Sequence, residues 1–134
     1  AWEALSSGAG LPRLARHLDP GDAWPTELTA ETLVSRARAG DARAARIIKV
    51  SAGWLGRGIA QLVDLLNPEV VVLGSLAVRS GDLVLPTVRR VVARECTIRS
   101  RDCRIVASGL GETAGDVAAL CAAIHQGRLE SDVR

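Results

Sequence analysis

Between Leu65 and Ser75 the chain reads Leu-Leu-Asn-Pro-Glu-Val-Val-Val-Leu-Gly-Ser, so that a long amphipathic helix ends in Asn-Pro and runs directly into a short, wholly apolar strand closed by glycine. Few folds accept that junction. The run Val70–Leu73 lacks polar alternation, which suits a strand buried on both faces of a parallel sheet. A helix over 82–95 and a second strand over about Arg104–Ala107 follow it. Strand, helix, strand in that order implies a right-handed crossover between two parallel neighbours. The fold class is therefore α/β, with parallel strands packed by helices and a glycine where β turns into α, the shape of nucleotide-binding α/β proteins.

The segments upstream are helical. From Trp2 to about His17 an interrupted pattern, broken at Ser6-Ser7-Gly8, predicts two short helical pieces joined by a bend. Residues 18–27 carry Asp-Pro-Gly and Trp24-Pro25, which is loop chemistry. Thr29 or Thr32 can cap a helix that stops at Gly40. Asp41 can cap the longest helix, over 42–66, whose Ile47, Val50, Trp54, Leu55, Ile59, Leu62, Val63 and Leu66 share one face. At 1.5 Å per residue it spans about 38 Å. Gly53, Gly56 and Gly58 each weaken that helix by about 1 kcal/mol relative to Ala, so a close neighbour, another backbone or a ligand, is expected beside them. Pro86 requires the helix over 82–95 to start near Leu83 or to kink. The last helix, Glu112 to Gln126, can end at Gly127, leaving 127–134 as a frayed tail.

This inventory holds two good strands, whereas a doubly wound domain has about five or six. A two-stranded parallel sheet leaves both edges unpaired and its apolar faces open. The sheet is incomplete in this chain, and the missing strands are expected from an absent N-terminal segment. A first residue other than Met points the same way.

Composition excludes more than it selects. A chain of 134 residues, 48% hydrophobic and 24% charged, is one globular domain. No run approaches the ~18 apolar residues of a membrane span, and Ala1-Trp2-Glu3 does not open a secretory signal. A net charge of +2 is too small to argue for nucleic acid, although sixteen of the seventeen basic residues are Arg. The Arg-rich run from Arg89 to Arg104 reads as a solvated helix face and loop before it reads as a phosphate-facing patch. Cys96, Cys103 and Cys121 offer neither a disulfide framework nor a self-contained zinc site, and a reducing cytoplasm is the expected home. Cys121, in an Ala-rich helix, is expected to be a small buried apolar residue. His17 and His125 read as ordinary surface or core histidines.

Several stretches, in order, carry a resemblance. Trp2-Glu3-Ala4-Leu5-Ser6-Ser7-Gly8, Leu55 through Glu69 with its Leu-Asn-Pro exit, Val71-Val72-Leu73-Gly74 with Gly81-Asp82, and Leu110-Gly111-Glu112 with Gly115-Asp116 together resemble the C-terminal half of the ROK family (repressor, open reading frame, kinase). The match runs to about Gln126. It implies part of an actin-like ATPase domain of the ribonuclease H type, with a hexose such as glucose and ATP with Mg held between two lobes. The family's sugar-binding Glu falls on Glu3, where a carboxylate offers only acceptors to a polyol; without the resemblance Glu3 is an acid in the first turn of a helix. The family's adenosine-binding turn, Gly-Gly followed by a variable and a small residue, falls on Gly74, Ser75, Leu76 and Ala77. Ser75 replaces the second glycine and puts ATP affinity in doubt.

The resemblance also shows what is lacking. The Asp-Gly-rich phosphate loop, the general-base Asp and the Glu-x-Gly-His sugar stretch lie upstream in the family. Ala1 stands where the last zinc cysteine would be, so no zinc site is expected in this chain. Gly109-x-Gly111-x-x-x-Gly115 reads as strand-to-helix packing rather than a phosphate cradle. The expectation is the C-terminal lobe of a sugar kinase, without catalytic residues of its own and inactive alone, in a cytoplasmic homo-oligomer. The competing readings are the inducer-binding domain of a sugar-responsive repressor, which would also bind DNA, and a structural remnant.

Overall fold

The computed structural model describes residues 7–20, 24–74, 76–97 and 102–132. Its elements are α1 (Leu11–Leu18), α2 (Ala30–Arg38), α3 (Ala42–Leu66), β1 (Val70–Leu73), α4 (Leu76–Glu95), β2 (Arg104–Ala107), a 3-10 turn over Gly111–Thr113, and α5 (Ala114–Asp132). The first of the two expected helical pieces lies outside the described residues. Pro12 stands in the first turn of α1, where its missing N–H costs nothing. Thr29, not Thr32, caps α2, its hydroxyl accepting from the Thr32 N–H at 3.1 Å.

Asp41 caps α3 with both carboxylate oxygens at work. One accepts from the N–H groups of Arg43 and Ala44 at 2.9 and 3.2 Å, and the other from the Arg36 guanidinium at 2.7 Å. Gly40, at φ 94°, makes the reversal between α2 and this cap. At the far end Asn67 takes the left-handed conformation at φ 46° and returns its N–H to the Val63 carbonyl at 2.8 Å. Asn tolerates that region and Pro68 cannot continue a helix, so the Asn-Pro pair ends α3 and aims the chain into β1.

β1 and β2 form a parallel pair, with Val70 opposite Arg104 and Leu73 opposite Ala107. Arg104 donates its N–H to the Glu69 carbonyl at 3.0 Å and Ser108 donates to Leu73 at 2.8 Å. In a parallel ladder this alternation turns the backbone polar groups of Val70 and Val72 to the outer edge of β1, and those of Ile105 and Ala107 to the outer edge of β2. The second edge is not bare. Arg89 of α4 donates from both Nε and Nη2 to the Ile105 carbonyl, at 2.9 and 2.8 Å.

The core lies on one side of this sheet. α3 packs along α4 and α2 and also meets α1, with Arg43 in its first turn 3.8 Å from Asp19 just beyond α1. Ile48, Val63, Val84 and Val88 are among the fully enclosed side chains. Gly56 makes the tightest crossing: a Cβ there would stand 2.8 Å from Val91 Cβ and 3.3 Å from the Val88 carbonyl. The close neighbour expected at the α3 glycines is therefore α4, through the Val91 side chain first and the Val88 carbonyl next. It serves Gly56 and not Gly53, beside which nothing stands within 4 Å.

Several expectations are corrected. β1 is not buried on both faces, since Val70 and Val72 are 38% and 57% exposed while Val71 and Leu73 pack on the core. Among the described residues the helices cover one face only. Trp54, Leu62 and Leu66 do not share the buried face of α3 and stand exposed with Leu65, the Trp54 ring carrying the Arg57 guanidinium 4.8 Å from its centroid. The helix expected over 82–95 is present beyond Ser80, where α4 departs from helical geometry, but a first helical piece from Leu76 precedes that break and Pro86 lies inside the second piece rather than at the kink. α5 runs through Gly127 to Asp132, because glycine weakens a helix but stops it only where it adopts a terminating conformation. Cys121 on α5 is exposed rather than buried, as are Leu120 and Ile124. Gly109, Gly111 and Gly115 meet nothing within 4 Å, so they do not serve strand-to-helix packing; Gly111, at φ 59°, shapes the turn instead.

Acid sensitivity follows from the caps and pairs. The carboxyl of Asp41 is held below its ordinary value, first by the Ala44 N–H, with the Arg36 and Arg43 bonds adding to it against some desolvation. Glu95 is held down first by Arg94 and then by Arg57. A depressed folded value means stability that is complete above the unfolded values, about 3.9 for Asp and 4.3 for Glu, and is lost as pH falls through the folded ones. The melting temperature is expected to be flat from neutral pH down to about 5 and to drop below about 4. Asp41→Asn, which retains an acceptor for the cap, is expected to make that drop shallower. An unchanged acid limb in a thermal scan would show that Asp41 does not contribute to it.

Candidate functional site

Ligands of open α/β sheets settle beyond the carboxyl ends of the strands. At that end of β1 the chain passes Gly74, whose carbonyl accepts from the Ala77 N–H at 3.1 Å as α4 begins. Nothing stands within 4 Å of where a Cβ on Gly74 would lie. Beside this turn is a cavity of about 260 Å³. α2 supplies one wall with Ala30, Glu31, Val34, Ser35 and Arg38; the first turn of α4 supplies Leu76 and Arg79; Gly8 closes a third side.

Its lining is apolar below and ionic at the rim. Arg79 Nη1 lies 2.6 Å from Glu31 Oε1. Arg38 makes a two-pronged bond to Asp82, at 2.8 and 3.1 Å, and a further bond to the Arg79 carbonyl at 2.8 Å. Glu31 is held below the ordinary carboxylate value first by its own backbone N–H, then by the Thr29 hydroxyl and by Arg79. Asp82 is held down chiefly by Arg38. Both carboxylates are thus held ionised at neutral pH, and each faces an arginine. The cavity offers an apolar wall at Val34 and Leu76, while the charges at its rim are balanced locally in ion pairs. Its volume falls just below the range of about 300–1,000 Å³ usual for complete small-molecule sites.

Of the residues expected to bind ligand, Gly74 does not line the cavity; it stands two residues before Leu76, which does. Glu3 and Ser75 lie outside the described residues. Glu31, Arg38 and Arg79 were not singled out from the sequence: Arg38 and Asp82 are 44 residues apart, and only the packing of α2 on α4 unites them. The Gly81-Asp82 pair was the one visible signal. The Arg-rich run is divided among structural tasks, with Arg89 on the Ile105 carbonyl and Arg94 on Glu95; Arg99 and Arg101 lie outside the described residues. His17 is exposed on α1 and His125 on α5. Among the described residues no group of three or more His, Cys, Asp and Glu could hold a metal ion, and no helix is long and apolar enough to cross a membrane.

Known proteins share this architecture. A glucokinase of Streptomyces coelicolor is 30% identical over 105 residues, which is 69% of this chain and 33% of that protein. The crystal structure of a ROK family glucokinase from Streptomyces griseus in complex with glucose and AMPPNP superposes with a TM-score of 0.73 at 27% identity, over 86% of this chain and 41% of the other. A ROK family transcriptional regulator, a homologue of the E. coli MLC protein, superposes with a TM-score of 0.68 at 20% identity, over 80% of this chain and 28% of the other, a likeness of fold alone. The chain spans about a third of the length of the curated glucokinase it matches. The helix-rich body and the two-stranded parallel sheet are part of the α/β, actin-like fold of these kinases. The profile of the ROK family covers residues 1–126, and the chain belongs to that family as a glucokinase-like member.

Proposed function

We propose that this chain is the C-terminal lobe of an ATP-dependent kinase for glucose or a related hexose, inactive alone. The observation that carries the reading is the cavity between α2 and the first turn of α4, whose lining begins at Leu76, two residues after Gly74 at the carboxyl end of β1. Its size and its apolar wall suit the adenosine part of ATP, and Gly74 leaves room for a backbone approach. Ser75 follows Gly74 in the sequence. Glu3 would orient the sugar by accepting from its hydroxyls.

Phosphoryl transfer needs aligned phosphates and acceptor, charge neutralisation and a base. ATP with Mg supplies the transferable group and its charge balance when bound. The residues of this chain bind and orient; the phosphate loop and the base belong to the other lobe. In keeping with that division, the two cavity arginines are committed to Glu31 and Asp82. The chain carries no zinc site of its own in this reading, and the intact protein is a cytoplasmic homo-oligomer.

A second reading has its own support. The transcriptional regulator shares the fold, and Ser75 in place of a glycine is a change a sugar-sensing repressor tolerates better than an ATP-using kinase. Such a protein would bind a sugar inducer and, through a further domain, DNA.

The deciding experiment is the intact mass of the native gene product together with thermal-shift titrations of glucose and ATP. A mass more than twice the 14.1 kDa of this chain, with stabilisation by both ligands, is expected. Stabilisation by sugar alone favours the repressor, and a response to neither removes both readings. Glu3→Gln in the intact protein is expected to weaken glucose binding by about 10- to 100-fold, the worth of a hydrogen bond to a charged group, with ATP binding unchanged. Undiminished glucose affinity in calorimetry would take Glu3 out of the sugar site.

A further inference from the structure

Arg38 ends α2 with its guanidinium turned across to α4. Its three bonds, two to the Asp82 carboxylate and one to the Arg79 carbonyl, straddle Ser80. Ser80 is where α4 leaves helical geometry, at φ −137° and ψ 33°. A break of that kind loosens the coupling between the first turn, Leu76–Arg79, and the helix body beyond it. The direction of that turn then depends on what holds it from outside. The Ser80 hydroxyl ties back to the Leu76 carbonyl at 2.6 Å, and Arg79 reaches Glu31 on α2 at 2.6 Å. Arg38 grips both sides of the break.

The same turn forms a wall of the cavity and follows directly on Gly74. Leu76 and Arg79 face α2 across it. We propose that Arg38, acting through Asp82 and the Arg79 carbonyl, is a positioning residue for the nucleotide: it fixes the first turn of α4 against α2 and so sets the width of the cavity that receives the adenosine part. This rests on the cavity being half of the ATP cleft. The guanidinium suits the task because its planar fork meets both carboxylate oxygens while a third direction reaches a carbonyl, which a lysine ammonium cannot match in geometry. Arg38 and Asp82 are both about half exposed, at 48% and 54%, so their pairing adds little to global stability and its loss is expected to register in binding.

The test uses the intact gene product, with initial rates at varied ATP and varied glucose for Arg38→Ala, Arg38→Lys, Asp82→Ala and the Arg38→Ala/Asp82→Ala double variant. Each single variant is expected to raise the KM for ATP about tenfold, and the double variant no further, because the two groups act as a unit. The KM for glucose and kcat are expected to stay within about twofold, a split that general loosening of the fold would not produce. An unchanged KM for ATP, or equal rises for both substrates together with a lower melting temperature, would overturn the positioning role. The wild type separates this inference from the one beneath it. A wild-type protein that neither phosphorylates hexose nor gains stability from AMPPNP refutes both, whereas an active wild type with indifferent variants refutes the role of Arg38 alone.

Discussion

Gly56→Ala is expected to destabilise the protein by about 1–3 kcal/mol, against the usual preference of a helix for alanine. The added methyl would stand 2.8 Å from Val91 Cβ and 3.3 Å from the Val88 carbonyl. Neither obstacle is the free end of a flexible side chain. α3 and α4 would have to separate, and Val63, Val84 and Val88 are packed between and around them with almost no exposure. The control lies one turn away. At Gly53 the added carbon meets nothing, so Gly53→Ala is expected to stabilise by about 0.5–1 kcal/mol. Chemical denaturation of the intact protein reads both signs. Val91→Ala in the Gly56→Ala background is expected to recover part of the loss, since the two side chains then compete for less space. A stabilising Gly56→Ala would mean that the two helices are not held at this distance.

Val72→Asp is expected to cost on the order of 3–5 kcal/mol in the intact protein, the scale of an uncompensated buried charge. Within this chain Val72 is 57% exposed, so the prediction depends on what covers it elsewhere. The run Val70–Leu73 is apolar on both of its faces, yet the helices described here cover the Val71 and Leu73 side only. If the proposed second lobe completes the domain, the Val70 and Val72 face is closed as well. Were the sheet to end at β1 with that face in water, the same substitution would fall within about 0.5 kcal/mol of neutral. Denaturation midpoints of the intact wild type and variant distinguish the two outcomes.

The elements were legible where local chemistry specifies them. The span of α3, its Asp41 cap, its Asn-Pro exit and both strands follow from residues adjacent in sequence. What was not legible depends on neighbours. The exposure of Trp54, Leu62 and Leu66 could not be told from their spacing, because one helix can present an apolar stripe to its own core and another to a partner. The break in α4 could not be placed either: Pro86 signals an interruption, but the irregular residue is Ser80, where its hydroxyl and Arg38 take up the disturbed hydrogen bonding. Glycines misled in the same way. Gly127 has the composition of a stop and lies inside a helix, and the Gly109–Gly115 series has the spacing of a packing motif, yet an added Cβ at Gly109, Gly111 or Gly115 would meet nothing within 4 Å among the described residues. At the site, Gly74 was found by its place after an apolar strand, while the Arg38 bracket required two helices far apart in sequence to meet.

Arg89 gives the sheet a direction of growth. Backbone groups along an open strand edge are a template for any other strand, native or not. On the β2 side the guanidinium occupies the Ile105 carbonyl with two donors, and an incoming strand would have to displace it before the first rung could form. The side bearing Val70 and Val72 has no such guard among the described residues. A strand added beside β2 would thus have to displace Arg89, whereas one added beside β1 would meet no such competitor among the described residues.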